Sequence, residues 1–186
     1  MAAGDLTSTA NVKKWIPGIT GATDDLLLDM LVTAASAWIK NYTNRDLLTA
    51  SYTETLNGTG RGSLILTHYP VTAVASLSVD GAAVVARPSV TTSGFTFEDR
   101  VIRLSGSVFT KGIQNIVVAY TAGFATAPAD LEQCAIELVG LKYRERTRIG
   151  ESTKAMGDQT VSFLVRELPV QVKSTLDQYK RVLYAA

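Results

Sequence analysis

The sequence predicts an α+β chain: a helical base of two long helices plus a C-terminal helix, with a small antiparallel β-sandwich or barrel-like insertion between the long helices. Three observations predict it. Only nine of the 80 residues from Leu47 to Thr126 are charged, whereas the flanks hold the other 26 charges. That middle part is rich in Thr, Ser, Val and Gly, the composition of strands and tight turns. The flanks instead carry apolar residues at helical spacing. The expected division is 1–46 with 127–186 as a helical domain, and 47–126 as a β-rich insertion.

Residues 1–8 read as irregular. Ser8 or Thr9 caps a short helix carrying Val12, Trp15 and Ile16, which Pro17-Gly18 ends. Thr23 is the expected cap of a long helix from Asp24 to Tyr42. Leu27, Leu31, Ala34, Ala35, Trp38 and Tyr42 share one face of it, widened by Leu28, Val32 and Ile39. Trp38 is expected in the core, where this helix meets the second long one. Ala34, Ala35 and Ala37 permit a close approach there.

The middle part reads as about seven short strands. Ser51–Asn57 alternates, Gly58-Thr59-Gly60-Arg61-Gly62 turns, and Ser63–Thr67 is expected to pair back as a hairpin. Val71–Val79 and Ala82–Ala86 flank Asp80-Gly81, a strong two-residue hairpin turn. Phe95–Phe97 and Val101–Leu104 are short strands about a charged turn. Ile113–Thr121 is the last strand, before Gly123.

The second long helix is read over 128–149. Pro128 suits the first turn, Asp130 and Glu132 match the positive end of the helix dipole, and cations fill the last turns before Gly150. Leu131, Cys134, Ala135, Leu138, Leu141 and Tyr143 form an apolar set too broad for a lone surface helix, so other elements must cover it. Residues 150–159 read as a polar connection. Thr160–Val165 alternates like a strand, and Pro169 opens a final helix to about Tyr184. No internal repeat is present.

Composition excludes several classes. A chain of 186 residues supports a good core, with roughly 70% of its unfolded surface buried. A net charge of +1 is unlike a protein that coats nucleic acid by bulk electrostatics. No apolar run approaches the about 18–20 residues of a membrane span, so no membrane partner is expected. The start, MAAGDLTST, lacks the basic and apolar regions of a signal peptide. The single cysteine, Cys134, has no internal disulfide partner and reads as a small buried residue. These features fit synthesis in a reducing cytoplasm.

No catalytic constellation, cofactor motif or metal-ligand spacing emerges. His68 is the only histidine and has no ligating residues at metal spacing, so a structural role is expected. Gly58-x-Gly60-x-Gly62 lacks the GK[ST] ending and does not lead into a helix, which makes it a hairpin turn rather than a phosphate cradle. Asp25 and Asp29, one helical turn apart, are better explained by the helix dipole than as an acid pair. Two features remain as candidate sites. One is the basic cluster Lys142, Arg144, Arg146 and Arg148, with Lys154 close behind, offset only by Glu145. It suits phosphate or an acidic partner, and repetition around a ring would make it a positive belt. The other is the C-terminal helix. Val172, Leu176, Tyr179 and Leu183 form one apolar stripe beside Lys173, Lys180 and Arg181. That stripe either packs on its own long helices or inserts into a groove of a partner or a neighbouring subunit.

The order of several segments resembles one family. Thr23-Asp24-Asp25-Leu26 leading into AASAWIKNYTNR is similar to the first long helix of the tailed-bacteriophage head–tail connector (adaptor) proteins. So are His68-Tyr69-Pro70-Val71-Thr72 followed by SLSVDG, and the run VVAYTAGF before Pro128-Ala129-Asp130-Leu131 and LKYRERTRIG. Leu168-Pro169 and Leu176-Asp177-Gln178-Tyr179-Lys180-Arg181 resemble the family's closing helix. The resemblance runs from about Leu6 to Val182, and it is carried by the shared order rather than by any one motif. It implies a structural virion protein of the head–tail neck, made in the host bacterial cytoplasm, with no catalytic residues and no cofactor. It implies a homo-oligomeric ring of about a dozen copies under the portal protein. A tail or head-completion (stopper) protein attaches below, and passing DNA makes weak, non-specific contact. Smaller members have little between the two long helices, so the insertion here points to a contact of its own. The competing reading is a monomeric β-sandwich module that binds carbohydrate or a cell surface; against it, the insertion offers few aromatics beyond Tyr52, Tyr69, Phe95, Phe97, Phe109 and Tyr120, and most of these sit at alternating strand positions.

Overall fold

A computed structural model of the chain describes residues 2, 4–19, 21–89, 91–146, 153–156, 159–162 and 168–181, with 153–156 and 159–162 described by their backbone alone. The fold is α+β, with four helices and antiparallel sheets. The chain divides into two compact units: Met1–Arg45 together with Ala127–Ala186, and Asp46–Thr126.

The first unit holds α1 (Thr9–Trp15), α2 (Asp25–Thr43), α3 (Ala129–Glu145) and α4 (Val170–Tyr179). Ser8 caps α1, its hydroxyl accepting from the Asn11 N–H. Asp24, not Thr23, is the N-cap of α2, and its side chain makes no capping bond. The Asp24 carboxylate instead accepts from the Tyr143 hydroxyl of α3. Asn44 ends α2 in the left-handed region, where Asn is tolerated. Asp25 pairs with Lys13, and Asp29 accepts from Thr9, so both carboxylates serve to hold α1 against α2.

α2 turns inward only part of the broad face expected, and not the part that bears Trp38. Leu28, Val32, Ala35 and Ile39 are buried, whereas Trp38 is 39% exposed and stacks on Tyr42 at 5.1 Å. The two apolar stripes are offset by one residue, or about 100°. The core takes the stripe of branched aliphatic residues and leaves the tryptophan on its flank. In α3, Leu131, Cys134, Ala135, Leu138 and Val139 are buried against the other helices. Gly140 faces Trp15 and Ile16, so α1 lies close over this helix. The helix is assigned to Glu145, and residues 147–149 of the expected span lie outside the described residues. The 150–159 connection contains β8 (Thr153–Met156), which pairs with β9 (Gln159–Ser162). Backbone pairing therefore overrides the polar composition there, and the rest of the expected strand, 163–165, lies outside the described residues. α4 stops at Tyr179 because Lys180 turns extended, short of the expected end.

The second unit holds β1 (Ala50–Gly58), β2 (Ser63–Ile65), β3 (Val71–Val79), β4 (Ala82–Val84), β5 (Gly94–Glu98), β6 (Val101–Ser105) and β7 (Gly112–Ala122). Two sheets form, ordered β1-β7-β3-β4 and β2-β6-β5. The β3–β4 hairpin turns at Asp80 and Gly81, both with positive φ (52° and 78°), as such a turn requires. The expected hairpin of β1 with β2 does not form. β1 pairs with β7, from Ala50↔Ala122 to Gly58↔Gly112, and β2 pairs with β6. Both sheets feed one core, including Leu64, Leu77, Phe95, Ile102, Val118 and Tyr120. They do not close into a barrel. One bridge, Ala86 with Phe95, joins them beyond β4, while β1 and β2 remain separate edges.

Candidate functional site

The basic cluster sits at the C-terminal end of α3, where cations complement the exposed carbonyls. Lys142, Arg144 and Arg146 are all exposed. The Lys142 ammonium lies 3.9 Å from the Glu145 carboxylate, a pair too exposed and long to neutralise it. Tyr143 organises the turn. Its hydroxyl donates to Asp24, and the Arg146 guanidinium lies 3.6 Å from its ring centroid and donates to its backbone carbonyl at 3.1 Å. This cation–π contact fixes one arginine without removing its charge. Sequence reasoning treated Tyr143 as core filler and missed this role. An aromatic three residues before an arginine on a helix was the available signal. Arg148 lies outside the described residues. Lys154 lies on β8, and its side chain is likewise outside them.

The C-terminal stripe faces its own unit. Val172 and Leu176 are 1% and 0% exposed. Tyr179 donates to both oxygens of Asp130, at 2.8 and 3.0 Å. Burial, and then this carboxylate, push the Tyr179 phenol up to about 12. Tyr42 donates to Asp177 at 2.8 Å, which raises the Tyr42 phenol in turn. The Arg181 backbone N–H donates to the Thr43 carbonyl at 2.8 Å. Polar clasps on α2 and α3 thus hold both flanks of α4, and Leu183 lies outside the described residues.

In the second unit, His68 stacks on Tyr52 with centroids 3.7 Å apart, and its Nε2 lies 3.8 Å from Glu54. Tyr120 donates to Glu54 at 2.6 Å and accepts from the His68 backbone N–H at 3.1 Å. Burial and the Glu54 bond raise the Tyr120 phenol strongly. This cluster braces the segment between β2 and β3. No group of three or more metal-binding side chains occurs among the described residues. Phe95, Phe109 and Tyr120 point into the core, so the aromatic surface that a sugar-binding module needs is reduced to Phe97 and partly covered tyrosines. No helix among the described residues is long and apolar enough to cross a membrane.

The sequence pattern of one family, described as head completion protein, matches residues 5–182. The chain belongs to the head completion protein family. It is a structural protein of that family and not an enzyme. Solved structures with chains of similar fold include the following three. The neck of an empty GTA particle computed with C6 symmetry matches at 21% identity and a TM-score of 0.63, covering 100% of this chain and 94% of that one. The neck of the native GTA particle computed with C12 symmetry matches at 20% and 0.61, with coverage of 100% and 94%. The virion of the native gene transfer agent particle matches at 23% and 0.60, again with coverage of 100% and 94%. At these identities the likeness is one of fold. No curated protein sequence matches the chain.

Proposed function

We propose that this head completion protein is a ring-forming adaptor of the virion neck, joining the portal vertex to the tail around the DNA exit channel. The observation that carries the reading is the family match over nearly the whole chain, joined to a fold shared with chains from neck particles of cyclic symmetry. The helical residues 1–46 and 127–186 form the connector, and 47–126 is an insertion that meets another neck component. Portal protein lies above, and a tail or stopper protein below.

The exposed cations Lys142, Arg144 and Arg146, with Arg148 and Lys154, face the channel or an acidic partner. Repeated around a ring, they give a weak, salt-sensitive and sequence-independent contact with DNA. Val172, Leu176 and Tyr179 of α4, with Arg181 and Leu183 after it in the sequence, belong to the connector. Because Val172 and Leu176 are buried, α4 engages a portal groove only by leaving its own unit. Negative-stain imaging of the concentrated chain, with and without portal-bearing particles, tests the ring. Annular particles, free or seated at the portal vertex, are the expected result. A chain that stays monomeric in both settings overturns it, and a monomer that binds glycans favours the module reading.

A further inference from the structure

α2 carries more apolar surface than its own unit covers. From Met30 to Ile39 it has no charged residue. Its buried stripe is Leu28, Val32, Ala35 and Ile39. The neighbouring stripe, with Leu31, Ala34 and Trp38, lines one wall of a groove of about 890 Å³. Leu141 of α3 and Val170 of α4 line other walls, and Lys142, Glu145 and Lys173 supply its charged lining. Trp38 and Val170 are 39% and 81% exposed. Further round α2 lies a third stripe. Leu26 and Met30, one turn apart, are 87% and 67% exposed. Asp25 and Asp29 flank them in the sequence.

We infer that this groove receives the Leu26–Met30 ridge of a second copy of the chain, and that this is the repeating contact of the ring. The inference rests on the ring reading above and assigns its surface. A closed ring joins two different patches of each subunit, head to tail. Groove and ridge are such a pair, and both are on one element. Their net charges are opposite and small: Lys142, Lys173 and Glu145 give the groove a net +1, and Asp25 and Asp29, with the Lys13 that pairs with Asp25, give the border of the ridge a net −1. Exposed apolar surface rimmed by charge marks an interaction site. A portal or tail partner needs one such patch, whereas self-association needs the matched pair.

The test uses the whole chain, alone and with portal-bearing particles, read by analytical ultracentrifugation. Met30→Glu spoils the ridge and Trp38→Glu spoils the groove. Each variant should keep its helical circular dichroism and self-associate roughly tenfold or more weakly. Mixed in equal amounts they should form a dimer and no ring, because each retains one intact patch. A second measurement needs no change at the interface. The chain has two tryptophans, so Trp15→Phe leaves Trp38 as the only indole reporter. Its emission should shift to the blue, and acrylamide quenching should fall, as the ring forms. Rings formed by both variants at wild-type concentration, or Trp38 emission unchanged on assembly, overturn the surface assignment and leave the ring standing. A wild-type chain that remains monomeric in every setting overturns the ring itself.

Discussion

Leu176→Ala separates a core α4 from a docking α4. Leu176 is 0% exposed and sits one turn from Val172 at 1%. Truncating a leucine this deep costs about 3 kcal/mol, from lost transfer energy plus the cavity left behind. For a unit the size of Met1–Arg45 with Ala127–Ala186, each kcal/mol moves the midpoint by roughly 4 °C, so a fall of about 12 °C is expected. Two neighbours calibrate the measurement. Tyr179→Phe removes the bonds to Asp130, whose polar atoms lie at the exposed edge of a partly buried side chain, and should cost about 0.5–1 kcal/mol. Val170→Ala, at 81% exposure, should stay within about 0.5 kcal/mol. Thermal unfolding followed by far-UV circular dichroism gives the three shifts, and co-sedimentation with portal-bearing particles gives binding. If Leu176→Ala melts with the wild type but no longer co-sediments, the side chain is spent on a partner, and the packing argument is wrong.

The other expectations are independent of α4. Ile39→Ala, at 0% exposure, should cost about 2–4 kcal/mol and Trp38→Ala about half that, because much of the indole is already in water; equal melting shifts contradict the assignment of the inward stripe. Gly58→Ala should strongly destabilise the insertion, since its Cβ would stand 1.8 Å from the Thr110 carbonyl oxygen and disturb the 2.8 Å bond from Gly58 N–H to Asn115, whereas Gly60→Ala meets open space and pays only for its positive φ; chemical denaturation of the two variants should rank them in that order. Hydrogen bonds from Thr110 and Asn115 hold the Asp80 carboxyl below its usual 3.8, so Asp80 contributes stability at neutral pH that is lost as pH falls from there through the lower folded value. The stability gap between wild type and Asp80→Asn should therefore close on acidification, and a gap constant with pH refutes the linkage.

Local chemistry made much of this fold legible. Asp80-Gly81 announced its hairpin because both residues tolerate positive φ. Ser8, Pro128 and Pro169 marked helix starts through backbone groups that only a few residue types satisfy. Pairing between distant segments was not legible. β1 followed by a glycine-rich turn and β2 looks like a hairpin, yet β1 finds its partner in β7, some fifty residues beyond β2. Alternation fixes which face of a strand is apolar but not which strand lies beside it. At the candidate site, the clustering of cations was readable from spacing. The spacing of Tyr143 and Arg146 was readable too, but the bond that anchors Tyr143 was not, because it depends on Asp24 arriving from another part of the chain.

The misplaced Trp38 of α2 carries a lesson about function. Its sequence is apolar over most of the helix circumference, so two stripes offset by one residue satisfy helical periodicity equally well. A helix of this kind is normally buried on all sides. Here the chain's own helices take one stripe, and the stripe bearing Trp38 remains accessible beside Leu26 and Met30. The ambiguity in the periodicity thus has a physical cause: the sequence encodes more apolar surface than a single copy covers. Leaving Leu26, Met30 and Trp38 in water forfeits about 1.5–3 kcal/mol for each side chain that assembly would fully bury. A lone surface helix gains nothing from keeping Leu26 and Met30 in place of polar residues, whereas a subunit of a ring gains one complementary contact per copy. On the ring reading proposed above, uncharged excess on α2, rather than any single motif, is the feature that encodes the contact between copies.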